Sequence, residues 1–176
     1  MSVTLRVADL ENDGEAIDGY VRAHPLATPF HLSGWSRAVA RGCGQVNHYL
    51  VAEIESAIVG VLPLTVVHSP LFGRALVSSA FAVGGWALAD DGDVANALIA
   101  EAVAMAERLT CPTVELRGGM MSAGAGWHHD ETTYLGFVRD LAADDEAELL
   151  AIPRKQRAEV RRALGFDLIV ETGTSE

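Results

Sequence analysis

Apolar and polar residues alternate over residues 3–7 and then recur at helical spacing over residues 9–24. The first pattern predicts a strand, and the second predicts an amphipathic helix that stops before Pro25. Ser33 is placed to cap a second helix, which would end at the glycines of residues 42–44. The chain is therefore expected to open with one strand and two helices.

Residues 48–67 alternate again on both sides of a turn at Glu55 and Ser56, which predicts a hairpin covered on one face. A buried strand is predicted over residues 75–81. Asp93 is expected to cap a long helix that ends before Pro112. One face of that helix is apolar and consists of Val94, Leu98, Ala102, Met105 and Leu109.

Towards the C-terminus the pattern predicts strands over residues 113–116 and 134–141, separated by a glycine-rich loop. A helix over residues 144–150 leads into a basic helix, and residues 167–170 begin a last strand. This order predicts an α/β (α+β) fold in which helices flank one mixed, mostly antiparallel central sheet.

The 176 residues favour one domain, or one and a fraction, and 49% hydrophobic residues are enough for a substantial core. A net charge of −11 argues against general binding to nucleic acids or anionic membranes. Cys43 and Cys111 lack CxxC spacing, and neither a signal peptide nor a membrane span is expected. We therefore expect a cytoplasmic protein with reduced thiols.

Residues 151–165 carry five of the 13 basic residues and a single acidic residue, so this segment is +4 and the remainder of the chain is −15. Pro153 and Gly165 suit the start and the end of a short helix. Such a helix is either solvated and partly neutralised by Glu159, or it presents its guanidinium groups to a phosphate or carboxylate. Composition does not decide between the two.

Two kinds of catalytic site are disfavoured. Residues 127–131 have the sequence WHHDE, but adjacent histidines do not share a face and no third ligand stands at a diagnostic spacing, so no metal site is predicted. The sequence also lacks a GxSxG motif and a cysteine near a His–acid pair, which leaves little support for a hydrolase.

Four segments are similar to those of one known family. They are PFHLSGW at residues 29–35, IVGVLPL at residues 58–64, SPLFGR at residues 69–74 and IPRKQR at residues 152–157, the last being the most specific. Together they resemble the FemAB-type branch of the GNAT acyltransferase superfamily, in particular the group associated with exosortase and PEP-CTERM systems. The resemblance runs, with gaps, from Thr28 to Gly165.

The resemblance implies a GNAT-like fold and transfer of an acyl or aminoacyl group onto an amine of a cell-envelope-related acceptor, such as a peptidoglycan precursor. Acyl-CoA or aminoacyl-tRNA would be the donor substrate, without a tightly bound cofactor. In the family, two GNAT-like lobes form the complete enzyme. We therefore expect residues 1–150 to be an N-terminal lobe and residues 151–176 to be the basic helix and the start of a truncated second lobe. A homodimer partner or another chain would supply the remainder.

Two departures from the family pattern bear on the site. A GNAT lobe would bind a pyrophosphate at the turn before the long helix, but residues 89–93 have the sequence ADDGD here. Their three carboxylates would repel that group and cap the helix themselves. His31 stands where the family often has Gln, and only Arg37 or Arg41 could replace a lysine that contacts the acceptor's diphosphate.

The resulting hypothesis is an anionic small-molecule acceptor held by basic residues, beside a pocket wall of aromatic and polar residues. The candidate substrate-binding residues are Arg154, Lys155, Arg157, Arg161, Trp35 and Arg37. His31 is the candidate base for the amine proton, and its alternative is a structural polar residue before a helix. The competing hypothesis is a degenerate, non-catalytic lobe that binds an anionic ligand, tRNA phosphates or a protein partner.

Overall fold

The computed structural model describes residues 2–71, 73–119, 126–166, 168–169, 171 and 173. The chain divides into two compact units, Met1–His129 and Asp130–Glu176. This division falls earlier than the predicted boundary after residue 150. The assignment of the two parts to a first and a second lobe stays a prediction.

The described part of the first unit alternates helices with a group of strands. In chain order the elements are β1 (Thr4–Val7), α1 (Leu10–Ala23), a 3₁₀ turn (Pro29–His31), α2 (Ser33–Cys43), β2 (Val46–Ile54), β3 (Ala57–Ser69), β4 (Gly73–Ser78), β5 (Leu88–Ala89), α3 (Gly92–Arg108) and β6 (Val114–Glu115).

Side chains next to the helices explain where they begin. The Asp9 carboxylate accepts from the backbone N–H of Glu11 at the start of α1, as an N-cap does. Asp91 accepts from the N–H of Val94 at the start of α3. The predicted cap at Asp93 is therefore wrong, because Asp91 has the extended backbone of an N-cap whereas Asp93 already lies in the first turn.

The sheet has the order β1-β2-β3-β4-β6, in which all neighbours are antiparallel except the parallel pair β4 and β6. β5 pairs with β3 at Gly60 and Val61. The predicted turn at Glu55 and Ser56 is confirmed, since both residues have positive φ and close the hairpin between β2 and β3. The mixed, mostly antiparallel sheet flanked by helices confirms the predicted fold class.

Helices cover both faces of this sheet. α3 packs on the face that carries Leu50, Leu62 and Leu64, whereas α1 packs on the face that carries Tyr49 and Val51. The prediction that the β2–β3 hairpin is covered on one face is therefore wrong. Both alternating sets of side chains are apolar enough to be buried, and a helix lies on each side.

The predicted strand over residues 75–81 ends at Ser78 instead. Ser79 and Phe81 have positive φ angles of 43° and 61°, which no β-strand can accommodate. The apolar composition of this stretch therefore belongs to a loop, in which Ala80 is buried and Phe81 is 55% exposed, rather than to a longer strand.

The second unit contains α4 (Asp145–Ala151) and α5 (Arg154–Leu164), which confirms the predicted helices to within a few residues. The predicted strand over residues 134–141 is wrong, since this stretch has no strand ladder in the described residues. Val138 is 100% exposed. Alternation becomes a strand only when a neighbouring strand completes its hydrogen bonds.

Of the predicted strand over residues 167–170, residues 167 and 170 lie outside the described part of the chain. None of the described helices is both long enough and apolar enough to span a membrane.

Candidate functional site

The chain leaves the sheet between β4 and β5, which pair with successive segments of the same strand, β3. We term this excursion, residues 79–87, the 79–87 loop. Its Ser79 and Phe81 adopt a backbone region that non-glycine residues rarely enter. Strained backbone of this kind persists only where its surroundings hold it, and it concentrates at functional sites.

Side chains from three other parts of the first unit hold the backbone carbonyls of the 79–87 loop. The contacts, at 3.2, 2.9 and 3.2 Å, run from Trp35 Nε1 to Ala80 O, from Arg117 Nη1 to Ala82 O and from His31 Nε2 to Trp86 O. The strained conformation is therefore fixed at three separate points.

His31 is fully buried, and both ring nitrogens have partners. The backbone N–H of Thr28 donates to His31 Nδ1 at 3.0 Å, which leaves the ring proton on Nε2, facing Trp86 O. The Tyr49 hydroxyl donates to the His31 carbonyl. Burial lowers the pKa of His31, because the charged imidazolium would lose its hydration. The ring is thus neutral and locked in one tautomer.

Within the 79–87 loop, Ser79 is hydrogen-bonded to neighbouring segments and Gly85 lies close to it. Ser79 Oγ donates to Phe30 O at 2.8 Å, and the Ser79 N–H donates to Pro63 O at 3.1 Å. Gly85 has a φ of 130°, and a Cβ added there would lie 2.1 Å from Ser79 Oγ. Only glycine satisfies both conditions at this position.

The indole of Trp86 rests on a glycine backbone. A Cβ added at Gly118 or Gly119 would lie 2.7 or 2.4 Å from atoms of this ring, and both glycines have positive φ. The other neighbour of the indole is His31, whose ring meets it edge-on at a centroid distance of 5.0 Å. Trp86 is therefore held between the 3₁₀ turn and the segment that follows β6.

The carboxyl ends of β4 and β6 lie side by side beneath this loop. Their parallel ladder pairs Leu76 with Val114 and Val77 with Glu115. Beyond those pairs the Arg117 N–H donates to the buried Ser78 Oγ, and the Arg117 side chain donates to Ala82 O of the 79–87 loop. Ligands in α/β sheets commonly bind outside the carboxyl ends of parallel strands. We call this the strand-end site.

The structure brings two of the predicted site residues together and leaves a third apart. His31 and Trp35 both bind the 79–87 loop, whereas Arg37 Nη2 contacts Ser33 Oγ at 3.3 Å within its own helix. The catalytic role of His31 stays a prediction. Its geometry favours the structural alternative, because neither ring nitrogen is free to accept a substrate proton.

The predicted anion-binding residues of α5 belong to the second unit and differ among themselves. Arg154, Lys155 and Arg161 are exposed. Arg157 instead donates to Leu150 O at 2.8 Å and to Ile152 O at 2.9 Å, the carbonyls at the end of α4. Its guanidinium therefore stabilises a helix terminus, and its predicted contact with an anion would compete with these bonds.

Glu159 forms an ion pair with Arg162 at 3.4 Å, as the solvated interpretation of α5 expects. The side chains of both residues are more than 60% exposed, so this pair contributes little stability.

The WHHDE segment shows no arrangement that would bind a metal, since the described residues contain no group of three metal-ligating side chains. Asp130 instead accepts from the N–H groups of Thr132 and Thr133, both at 3.0 Å. Hydrogen bonds from Thr133 and Thr132 lower the pKa of Asp130 to about 2. This carboxylate organises a local turn.

Sequence reasoning missed Ser79, Trp86 and Arg117. The available pattern was the pair of double glycines, at residues 84–85 and 118–119, each of which follows a predicted strand. Paired glycines after a strand indicate tight turns or close approach of another group, here the approach of Trp86 to the backbone. The sequence does not show which aromatic ring packs against these glycines, because that depends on tertiary packing.

The antiparallel strands, helix α3 and the parallel β4–β6 pair form a fold similar to that of a solved GNAT family acetyltransferase. A GNAT family acetyltransferase from Staphylococcus aureus subsp. aureus superposes with a TM-score of 0.51 at 14% identity, over 80% of this chain and 100% of that one. A ribosomal-protein-alanine N-acetyltransferase from Brucella melitensis biovar Abortus gives a TM-score of 0.49 at 16% identity, over 78% and 100%. At 14% identity, the likeness to the S. aureus protein establishes the fold alone.

No family model matches the sequence, and no curated protein matches it significantly.

Proposed function

We propose that this protein transfers an acyl group onto an amine at the strand-end site. The observation that carries the proposal is the fold, which is similar to that of the acetyltransferase from S. aureus. The strained 79–87 loop at the carboxyl end of β4 supports the same location.

In the proposed reaction, the amine nitrogen forms a bond to the carbonyl carbon of an acyl thioester. The C–S bond breaks, the thiolate leaves with the bonding electron pair, and the nitrogen loses a proton to give an amide. In acyl transfer, hydrogen-bond donors stabilise the oxyanion that forms on the carbonyl. Water would take the proton, since His31 is committed to Thr28 and Trp86.

The proposed donor is an acyl-CoA whose diphosphate is not held at the start of α3. Asp91 already occupies the Val94 N–H there, and Asp93 adds a second negative charge in the first turn. A short acyl thioester that lacks the diphosphate should therefore react almost as well as the corresponding acyl-CoA, with kcat/KM lower by less than about tenfold.

The finer part of the proposal concerns the acceptor. The exposed cations Arg154, Lys155 and Arg161 would attract a phosphorylated or carboxylated amine, as expected for a cell-envelope precursor handled by a FemAB-type enzyme. A second lobe from another copy or chain would complete that arrangement. Aminoacyl-tRNA is the alternative donor, and it predicts RNA affinity with a steep dependence on salt.

The direct test incubates the purified chain with a panel of acyl-CoA donors and amines. Thiol release is followed with a chromogenic disulfide, and the acylated amine is detected by mass spectrometry. Amine-dependent thiol release together with the matching increase in mass is the expected result. A folded chain that gives neither, with any donor or with its short thioester, favours the non-catalytic lobe, which the buried and fully bonded His31 would suit.

A further inference from the structure

An open cavity of about 500 Å³ lies in the first unit, away from the strand-end site, where α1 ends beside the segment that precedes α3. Its lining comprises Tyr20, Ala23, His24, Pro25, Ile58 and Asp90. Three of these side chains are apolar, and none belongs to Lys or Arg. The cavity thus combines an apolar wall with one carboxylate.

The polar groups at this cavity are mostly hydrogen-bond acceptors. The Tyr20 hydroxyl, with its one proton, lies 2.9 Å from Asp90 Oδ1 and 3.1 Å from Val59 O. Burial, followed by the Asp90 carboxylate, raises the pKa of Tyr20, so the phenol keeps its proton. The Val59 carbonyl also accepts from the Asp90 N–H at 3.0 Å, so the Tyr20 proton is available to Asp90 Oδ1.

His24 does not donate to the Asp90 carboxylate. The Leu26 N–H donates to His24 Nδ1 at 3.2 Å, which places the ring proton on Nε2, and Nε2 lies 3.2 Å from Ala89 O. Both nitrogens are therefore used within the protein. The second oxygen of the exposed Asp90 carboxylate has no hydrogen-bond donor among the described residues.

We propose that this cavity binds an organic ammonium group, with the ammonium against Asp90 and the alkyl or aryl part against Pro25 and Ile58. An ammonium brings three donors and a positive charge to a cavity with an apolar wall and one carboxylate, whose second oxygen has no donor among the described residues. A phosphate or carboxylate ligand would meet like charge and no free donor. The inference goes beyond the proposed function, because amine binding here does not require acyl transfer.

The test follows amide chemical shifts of the full chain at low salt during titration with benzylammonium. Benzyl alcohol, which has the same ring without the charge, is the matched neutral probe. Benzylammonium should perturb the amides of Tyr20, His24, Ile58 and Asp90, and it should bind about fivefold more tightly than benzyl alcohol.

Two substitutions separate a built site from general attraction to an acidic protein. Asp90→Asn should weaken benzylammonium binding about threefold to fivefold, whereas Asp93→Asn, at an acid that does not line the cavity, should change it less than about 1.5-fold. Equal losses in both variants, shifts spread over other acidic surfaces, or preferential binding of inorganic pyrophosphate at these amides would each overturn the proposal.

Discussion

The polar residues around the 79–87 loop and the cations of α5 represent opposite uses of polarity. His31 and Ser79 are buried and fully hydrogen-bonded, and among the described residues no buried side-chain nitrogen or oxygen lacks a partner. Arg154, Lys155 and Arg161 are exposed to water. Removing one hydrogen-bonding partner around the 79–87 loop leaves a buried polar atom without a hydrogen bond. Removing one cation of α5 changes little but the charge.

The two regions also differ in their apolar packing. Ile17, Leu62 and Leu98 of the first unit are completely buried. In the described part of the second unit no residue is buried, and Phe137 is 91% exposed. The first unit therefore has a core that can hold strained backbone in place, while the short helices α4 and α5 depend on local contacts. Substitutions in each region test this difference.

The largest effect is expected at Gly85. In Gly85→Ala, the added Cβ would meet Ser79 Oγ at 2.1 Å and the backbone would keep a φ of 130°. Overpacking and backbone strain should together cost about 3 kcal/mol of unfolding free energy, which lowers Tm by about 6–12 °C. Thermal unfolding followed by circular dichroism measures the change.

Gly34→Ala is the matched control, because this glycine lies in α2 and nothing lies within 4 Å of an added Cβ. Alanine there should leave stability within about 0.5 kcal/mol or raise it. Equal destabilisation by both substitutions would show that the 79–87 loop is not held as described.

A smaller, pH-dependent effect is expected at His31. Burial holds its pKa in the folded chain below the ordinary value of 6.5, so the unfolded chain binds the proton first as the pH falls. The stabilising contribution is therefore complete above pH 6.5 and is lost towards the folded-state pKa, by about 1.4 kcal/mol per pH unit. Urea unfolding at pH 7.5 and 5.5 should reveal this loss.

In His31→Gln, the part of the loss of unfolding free energy between pH 7.5 and 5.5 that comes from this side chain should disappear. The pKa of His48 is also lowered by burial, and it contributes equally to both proteins. His48→Gln therefore provides the second comparison. If His31→Gln loses as much stability between the two pH values as the unsubstituted chain, His31 is not the neutral buried group described above.

Periodicity in the sequence predicts some elements of this fold correctly and others wrongly. Periodicity predicts α1, α2 and the β2–β3 hairpin, because helix and strand spacing is local information. It fails over residues 134–141, where the pattern is present but no neighbouring strand is. It also extends β4 past Ser78, because an apolar loop has the same local composition as a strand.

The candidate site is harder to predict than the fold, for a physical reason. The five cations of residues 151–165 are conspicuous in the sequence, yet exposed charge is the ordinary condition of a surface helix. The ties between Trp35, Arg117 and the 79–87 loop join residues far apart in the chain, and they bind backbone carbonyls, which every residue has. No local pattern specifies such contacts.

The smallest effects are expected in α5, where two arginines of one helix should behave differently. Arg157→Ala removes the donor to Leu150 O and Ile152 O, so we expect about 1 kcal/mol less local stability and about fivefold faster amide hydrogen exchange in α4 and α5. Arg161→Ala, which removes an exposed cation with no hydrogen bond to a described residue, should change exchange by less than about 0.5 kcal/mol. It should instead weaken pyrophosphate binding and reduce the salt dependence of that binding, because only a charge is lost. Faster exchange in Arg161→Ala, or unchanged exchange in Arg157→Ala, would show that the two guanidinium groups do not divide between a structural and a solvent-facing role.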